Sequence, residues 1–155
     1  MVKTRFLAFV PAAILAAACG GSSGGATTFS ATMAGSNEVP ATTSTATGSA
    51  TYTINGTTVN YTITYSGLSG PPTASHIHVG ATTAAGAVVV PFTGLPTTAS
   101  GTWSGSFTQA DIKPQTNPPV TTLVDLLGQI GAGNTYTNIH TTANPGGEIR
   151  GQNHP

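Results

Sequence analysis

Three histidines lie at positions from which they could bind one metal ion. His76 and His78 are separated by a single residue in a segment of alternating polar and apolar side chains, and His140 lies in a second such segment. Residues i and i+2 of a β-strand project from the same face, so the first two imidazoles are predicted to lie side by side. Neutral imidazoles suit zinc and copper. We therefore take His76, His78 and His140 as a candidate site for copper or zinc. The alternative is that they are structural histidines, hydrogen-bonded under a loop.

Four further polar residues are predicted to lie near these histidines: Glu38, Asn138, Glu148 and Arg150. Asn138 would share a strand face with His140, and Glu148 would share one with Arg150. If the strands that carry them are neighbours, their outward polar faces form one cluster. We expect a structural or supporting role for these four residues. Glu148 and Arg150 could form an ion pair that closes the last strand, with Glu38 as a competing partner for Arg150.

Short β-strands must position these side chains. Thr, which favours strands, is abundant, and Gly- and Pro-rich turns punctuate segments of period-two alternation. The predicted strands are 27–34, 51–54, 58–65, 74–79, 87–92, 101–107, 135–141 and 147–152. One short helix is predicted within 119–130, because apolar residues follow a Pro-Pro pair at helical spacing. These residues are Val120, Leu123, Val124, Leu127 and Ile130. A single helical turn is expected at 109–112. The pattern predicts an all-β sandwich or barrel.

The clearest local prediction is a β-hairpin around Asn55-Gly56, the strongest two-residue turn signal. With these as the two loop residues, Ile54 would pair with Thr57, and Tyr52 with Val59. The apolar side chains of both strands then lie on one face.

Composition excludes several classes of function. Only 5% of the residues are charged, against about 25% in a typical soluble domain. A nucleic-acid-binding surface needs a basic patch that this chain cannot build, so we expect no nucleic-acid partner. The sequence contains no phosphate-binding loop and no serine nucleophile motif, and no two carboxylates have a spacing that suggests a glycosidase pair. The length fits one domain. An enzymatic activity is left open and is not the leading expectation.

The first 18 residues resemble a secretory signal peptide. Lys3 and Arg5 precede an apolar segment, 6–18, that is shorter than the about 20 residues that a spanning helix needs. Cys19 is the single cysteine, so no intramolecular disulfide can form, and it follows small residues as in a bacterial lipobox. The match departs at one point, because Leu15 lies one position too far upstream. The alternative is an ordinary secretory signal that leaves a free cysteine.

Cleavage before Cys19 would leave a flexible Gly- and Ser-rich tether, 19–26, and a domain over 27–152. Acylation of Cys19 would anchor the chain to a membrane. We expect a location in the cell envelope, at the outer membrane or cell surface, or otherwise a periplasmic or extracellular one. The expected partners are the membrane, through the lipid on Cys19, and an unidentified envelope protein or surface ligand.

Four motifs resemble one known family when they are taken in order. They are GSNEVP at 35–40, ASHIH at 74–78, YTNIHT at 136–141 and NPGGEIRGQ at 144–152. Together they resemble the CHRD (chordin-type) domain, over nearly all of the chain after the leader. The resemblance implies an antiparallel Greek-key β-sandwich, superoxide-dismutase-like or immunoglobulin-like in form. It implies no established enzymatic activity.

A more distant similarity is to the sandwich of copper–zinc superoxide dismutase, where a His-x-His strand supplies copper ligands. It implies His76 and His78 as that pair, His140 as a third ligand and Arg150 as an anion-attracting side chain. The sequence departs from that family, because 27–152 contains no fourth, bridging histidine and no zinc-binding loop. We therefore expect a CHRD-domain envelope lipoprotein that acts as a non-catalytic binding or structural module. The alternative is a copper- or zinc-binding protein with at most weak dismutase-like redox chemistry.

Overall fold

Antiparallel β-strands are the main regular structure of residues 28–155, the part of the chain that the computed structural model describes. The strands are β1 Thr28–Ala34, β2 Thr47–Asn55, β3 Thr58–Ser66, β4 Pro72–Val79, β5 Ala87–Pro91, β6 Gly101–Thr108, β7 Gln115–Thr116, β8 Pro119–Val120, β9 Thr135–Thr141 and β10 Ile149–Gln152. One α-helix, α1, spans Leu123–Gly131, and 3₁₀ turns form at Gly35–Asn37 and Gln109–Asp111. The predicted leader, the tether and Cys19 lie outside the described residues. Within 28–155, no helix has the length and apolar character to cross a membrane.

Eight of the strands form one sheet in the order β5-β4-β9-β10-β1-β2-β3-β6, and β7 and β8 form a separate pair. The sheet curls over, so that strands far apart in this order face each other across the core. The Tyr52 hydroxyl of β2 lies 2.6 Å from the Thr137 hydroxyl of β9, although two strands separate them within the sheet. Phe92, just after β5, packs against Tyr61 of β3 with ring centroids 4.5 Å apart. The predicted all-β, antiparallel sandwich or barrel is confirmed.

The half of the sheet formed by β1, β2, β3 and β6 follows the simple alternation that the sequence predicts. Its inward residues are apolar or aromatic and its outward residues are Thr, Ser and Asn. Outward hydroxyls pair across strands: Thr62 with Ser104 and Thr64 with Thr102, each at 2.9 Å. Cross-strand pairs of this kind support strand pairing in the absence of charged side chains.

The β2–β3 hairpin is present, but its predicted register is wrong by two residues. Ile54 pairs with Val59 rather than Thr57, and the loop residues are Gly56 and Thr57. Gly56 has φ +61°, and within 28–155 no residue other than glycine has a positive φ. Glycine at the first central position of a two-residue loop is typical of a type II′ turn. A shift of two residues preserves the side-chain faces, so the predicted inward set is retained.

The helix begins later than predicted. Residues 119–120 form β8, and α1 starts after Thr122, whose hydroxyl accepts a hydrogen bond from the Asp125 backbone N–H in a capping box. The buried stripe is Leu123, Leu126 and Ile130, whereas Val124 is 77% exposed. Val124, one of the apolar residues whose spacing predicted the helix, therefore lies outside its buried face.

The half formed by β4, β9 and β10 departs from the alternation pattern. These three strands are neighbours, which brings the three histidines and Asn138 together, whereas the carboxylate of Glu148 forms its hydrogen bonds outside this group. Its polar face does not point to solvent, because all seven residues of β9 are buried, and Glu148 and Arg150 are 0% and 1% exposed. The polar side chains lie on the face of the sheet opposite the core residues Ile77, Ile139 and Ile149, and loops cover that face.

Glu148 ties two loops to the end of β9. Its carboxylate accepts hydrogen bonds from the hydroxyls of Ser44, Ser69 and Thr141, at 2.8, 2.5 and 2.6 Å, and from the Ser69 backbone N–H at 2.8 Å. The expected ion pair with Arg150 is wrong, since hydroxyl and amide donors occupy both carboxylate oxygens. Burial raises the pKa of Glu148, but the hydrogen bonds from Ser69, Thr141 and Ser44 outweigh it and bring the pKa to about 2.

We predict that Glu148→Gln destabilises the fold by about 3 kcal/mol, because the new amide turns an N–H toward groups that also donate. A depressed pKa contributes stability above the ordinary value of 4.5, and this contribution is lost as the pH falls toward about 2. The wild-type advantage over the variant should therefore shrink across that pH range. Urea unfolding from pH 7 down to pH 2 measures both effects. Asp111→Asn, which alters an exposed capping carboxylate, serves as the control. A change in the free energy of unfolding below about 0.5 kcal/mol for Glu148→Gln would contradict this role.

Candidate metal centre

β4 and β9 bring the three histidines together. The two strands pair antiparallel, with Asn138 opposite His76, Tyr136 opposite His78 and His140 opposite Ala74. One ring nitrogen from each of His76, His78 and His140 lies within 4.8 Å of the others. His78 and His140 are 7% and 9% exposed, whereas His76 is half-buried and forms the solvent side of the cluster.

Backbone carbonyls fix the protonation of two of the rings. The Nδ1 atoms of His78 and His140 lie 2.9 Å from the Gly86 carbonyl and 3.0 Å from the Pro145 carbonyl. A carbonyl oxygen can only accept, so in both rings Nδ1 must carry the hydrogen and donate it. In a neutral imidazole the other nitrogen, Nε2, then has a free lone pair.

These lone pairs converge on an atom that also can only accept. The Asn138 side-chain oxygen lies 3.1 Å from Nε2 of both His78 and His140. The Asn138 amide nitrogen is committed elsewhere, since it supports the Glu38 carboxyl. His76 can supply one proton, because its Nδ1 lies 3.2 Å from Nε2 of His140. The centre of the cluster therefore holds more acceptors than donors, an arrangement that favours a bound cation.

Burial keeps the histidines neutral at physiological pH. It lowers the pKa of His76 to about 4, with further contributions from His78 and His140. Burial also lowers the pKa of His78 and of His140, against the opposing effect of the carbonyls of Gly86 and Pro145. Neutral rings are the form that binds metal ions.

One protein family matches nearly all of the described residues. The model of the CHRD domain family matches residues 29–153. The chain belongs to the CHRD domain family. The matched range contains the three histidines and all four supporting residues, so the resemblance that the motifs predicted is confirmed. No curated protein and no solved structure matches the chain.

An aromatic stack in the CHRD domain connects the histidine cluster to Arg150. The ring of Tyr136 stacks on His78, with centroids 4.7 Å apart and an interplanar angle of 4°. The Arg150 guanidinium carbon lies 3.4 Å from the centroid of the Tyr136 ring. The Tyr136 hydroxyl accepts the Gly86 N–H at 3.0 Å, and the Gly86 carbonyl in turn holds His78.

The charged groups of this region were predicted from the sequence, but the atoms that orient the rings were not. Tyr136 was noted only as part of the motif at 136–141, and Gly86 and Pro145 act through backbone carbonyls, which leave no side-chain signal in the sequence. The glycine at 86 is required sterically, because a Cβ atom there would lie 1.5 Å from the Val79 carbonyl oxygen. The glycine at position 86 is thus the one sign in the sequence of the contact between its carbonyl and His78.

Glu38 lies on the other side of Asn138. Its side chain is 7% exposed, and its Oε1 atom has no hydrogen-bond partner among residues 28–155. Burial raises the pKa of Glu38 to about 7, although the charge of Arg150, the Val39 backbone N–H and the Asn138 amide oppose the increase. A side chain at position 147 would collide with this carboxyl, which explains the glycine there.

We predict that Glu38 makes the CHRD domain less stable as the pH rises. Its folded pKa of about 7 is above the ordinary 4.5, so its proton stabilises the fold below pH 4.5 and that stabilisation is lost as the pH rises through about 7. Glu38→Gln should remove this loss and gain about 2 kcal/mol relative to wild type between pH 4.5 and 7.5. Urea unfolding of both proteins across this range measures the difference. A difference that does not vary with pH would show that the pKa of Glu38 is not raised.

Proposed function

We propose that this CHRD domain binds a transition metal ion, copper or zinc, through His76, His78 and His140. The observation that carries the proposal is the orientation of two rings. Their Nδ1 hydrogens are held by backbone carbonyls, and their Nε2 lone pairs meet beside the Asn138 oxygen. Metal-binding histidines commonly have the same arrangement, with the distal ring nitrogen donating to a carbonyl or carboxylate.

The separations within the cluster support one shared ion. Two nitrogens that bind one tetrahedral zinc at about 2.0–2.1 Å lie about 3.3 Å apart. The nitrogens of His76 and His140 are 3.2 Å apart, close to that value. The three ligand nitrogens lie up to 4.8 Å apart, so the rings must move closer together when an ion binds. The half-buried His76 has the freedom to make that adjustment.

Three histidine ligands leave one coordination position for water or an external ligand. His76 forms the solvent side, so that position is accessible from outside. Copper at such a site would supply redox chemistry, and zinc would supply a Lewis acid. The surrounding residues would hold the ion, keep the histidine ligands neutral and limit the exposure of the ion to solvent. We therefore propose that the protein binds metal in the envelope, and we propose no reaction for it.

The second candidate is a non-catalytic binding or structural module in which the histidines only hold the fold. The observation that favours it is that each of the three rings already has a hydrogen-bond partner within the described residues. In that case the cluster would close the covering loops over β9, and the function would lie in contacts with an envelope protein or surface ligand.

We further propose that the chain is exported and anchored through a lipid on Cys19. Support comes from the basic residues and apolar segment that precede this cysteine, and from the Gly- and Ser-rich stretch that follows it. Expression of the full chain in a bacterial host with radiolabelled palmitate tests the anchor. Label should appear in the wild type and be lost in Cys19→Ser, and label retained in that variant would contradict the proposal.

Metal titration tests the central proposal. The full chain with Cys19→Ser, used to remove the thiol, should bind one equivalent of copper or zinc with a Kd below about 1 µM. His78→Gln or His140→Gln should weaken binding by about 100-fold or more, whereas His154→Gln, outside the cluster, should not change it. Because the pKa values of the cluster are lowered, affinity should change little between pH 7.5 and 6.5. Absence of stoichiometric binding, together with a lower Tm for the cluster variants, would favour the structural candidate instead.

A further inference from the structure

A second polar pocket, of about 510 Å³, lies apart from the histidine cluster. It is bounded by β1, β10, the turn that contains Glu38 and the loop between β4 and β5. Its lining consists largely of hydroxyl and amide side chains, among them Ser30, Thr32, Thr83 and Gln152. Arg150 and Glu38 also line it and supply its charged groups. The volume lies within the range of about 300–1,000 Å³ that is usual for small-molecule sites.

Arg150 lines this pocket, and one of its two terminal nitrogens is unused. Its Nη2 donates to the Ala81 carbonyl at 2.7 Å, and its guanidinium lies on the Tyr136 ring. Its Nη1 is buried and has no hydrogen-bond partner in the described part of the chain. A buried charged donor without an acceptor is costly, so a partner from outside the chain would stabilise it.

Glu38 has an unused acceptor that complements the unused nitrogen of Arg150. Its Oε1 is a buried acceptor without a donor among residues 28–155. The two residues are close enough for each to affect the pKa of the other, yet neither of the two unused atoms satisfies the other. The pocket is thus lined by two residues, each more than nine-tenths buried, that carry just beneath its surface a cationic donor and a carboxyl acceptor without partners.

We propose that this pocket binds a small hydroxylated carboxylate of the sugar-acid class, its carboxylate on Arg150 and a hydroxyl on Glu38. A guanidinium matches a carboxylate in charge and in the geometry of its paired N–H groups. A hydroxyl group of the ligand donates to Oε1 of Glu38. The remaining hydroxyls of the ligand face Ser30, Thr32 and Gln152, which both donate and accept.

The covering loop provides the route of entry. Thr82 and Thr83 are exposed and lie at the rim of the pocket, next to the Ala81 carbonyl that holds Arg150. Because the unused atoms lie below the surface, the ligand reaches them by displacing this turn. The polar lining gives an apolar ligand little to pack against, which favours a polyol over a lipid or an aromatic compound.

Isothermal titration of the full chain with Cys19→Ser tests the proposal. Chelator is present throughout, so that the result does not depend on the histidine cluster. D-glucuronate should bind with a stoichiometry of one, and D-glucose, which differs by lacking the carboxylate, about tenfold or more weakly. Equal binding of glucose would overturn the role of Arg150. Absence of glucuronate binding at millimolar concentration would overturn the site and indicate that water alone bridges the two unused atoms.

Three variants locate the binding. Thr83→Trp fills the rim from an exposed position and should abolish binding with an unchanged Tm. Thr57→Trp, in the β2–β3 turn and outside the pocket lining, should bind like the parent. Glu38→Gln keeps the size of the side chain and should weaken glucuronate by about tenfold. Full binding by Thr83→Trp, or equal loss in Thr57→Trp, would place the ligand elsewhere and overturn the proposal.

Discussion

The face of β4, β9 and β10 that carries the polar motifs is buried under loops, and its polar atoms must find their partners inside the protein. This constraint explains why specific hydrogen bonds hold the covering loops. Glu148 collects donors from three segments, and the Gly86 and Pro145 carbonyls receive the ring hydrogens of His78 and His140. Three of the six charged residues within 28–155, namely Glu38, Glu148 and Arg150, lie in the interior.

The same constraint shapes the proposed metal centre. Loops that must satisfy buried ring nitrogens also decide which nitrogen of each ring keeps a lone pair. Those lone pairs and the Asn138 oxygen then face one another, and there are fewer N–H donors than acceptors among them. Asn138 links this centre to Glu38, and Tyr136 links it to Arg150, so the two proposed sites share one buried polar layer.

Local pattern was sufficient to predict much of this fold. The alternation of Thr with apolar residues predicted most strands to within a few residues, and the spacing of His76 and His78 predicted that they share a strand face; the pairing of β4 with β9 brings them beside His140. Three features could not be predicted, because they depend on the path of the loops through space. These are the burial of the polar face, the hydroxyl partners of Glu148 in place of Arg150, and the carbonyls that orient the rings. The hairpin register failed for a local reason, since Gly56 takes the first loop position and Asn55 stays in the strand.

Anomalous diffraction from crystals of the Cys19→Ser chain grown with one equivalent of zinc or copper would locate the ion. We expect one peak in each molecule, about 2.0–2.1 Å from a ring nitrogen of His76 and from Nε2 of His78 and His140. The Nδ1 atoms of His78 and His140 should remain on the carbonyls of Gly86 and Pro145. A metal bound elsewhere, or an empty cluster that keeps the hydrogen bond between His76 and His140, would contradict the proposed metal centre.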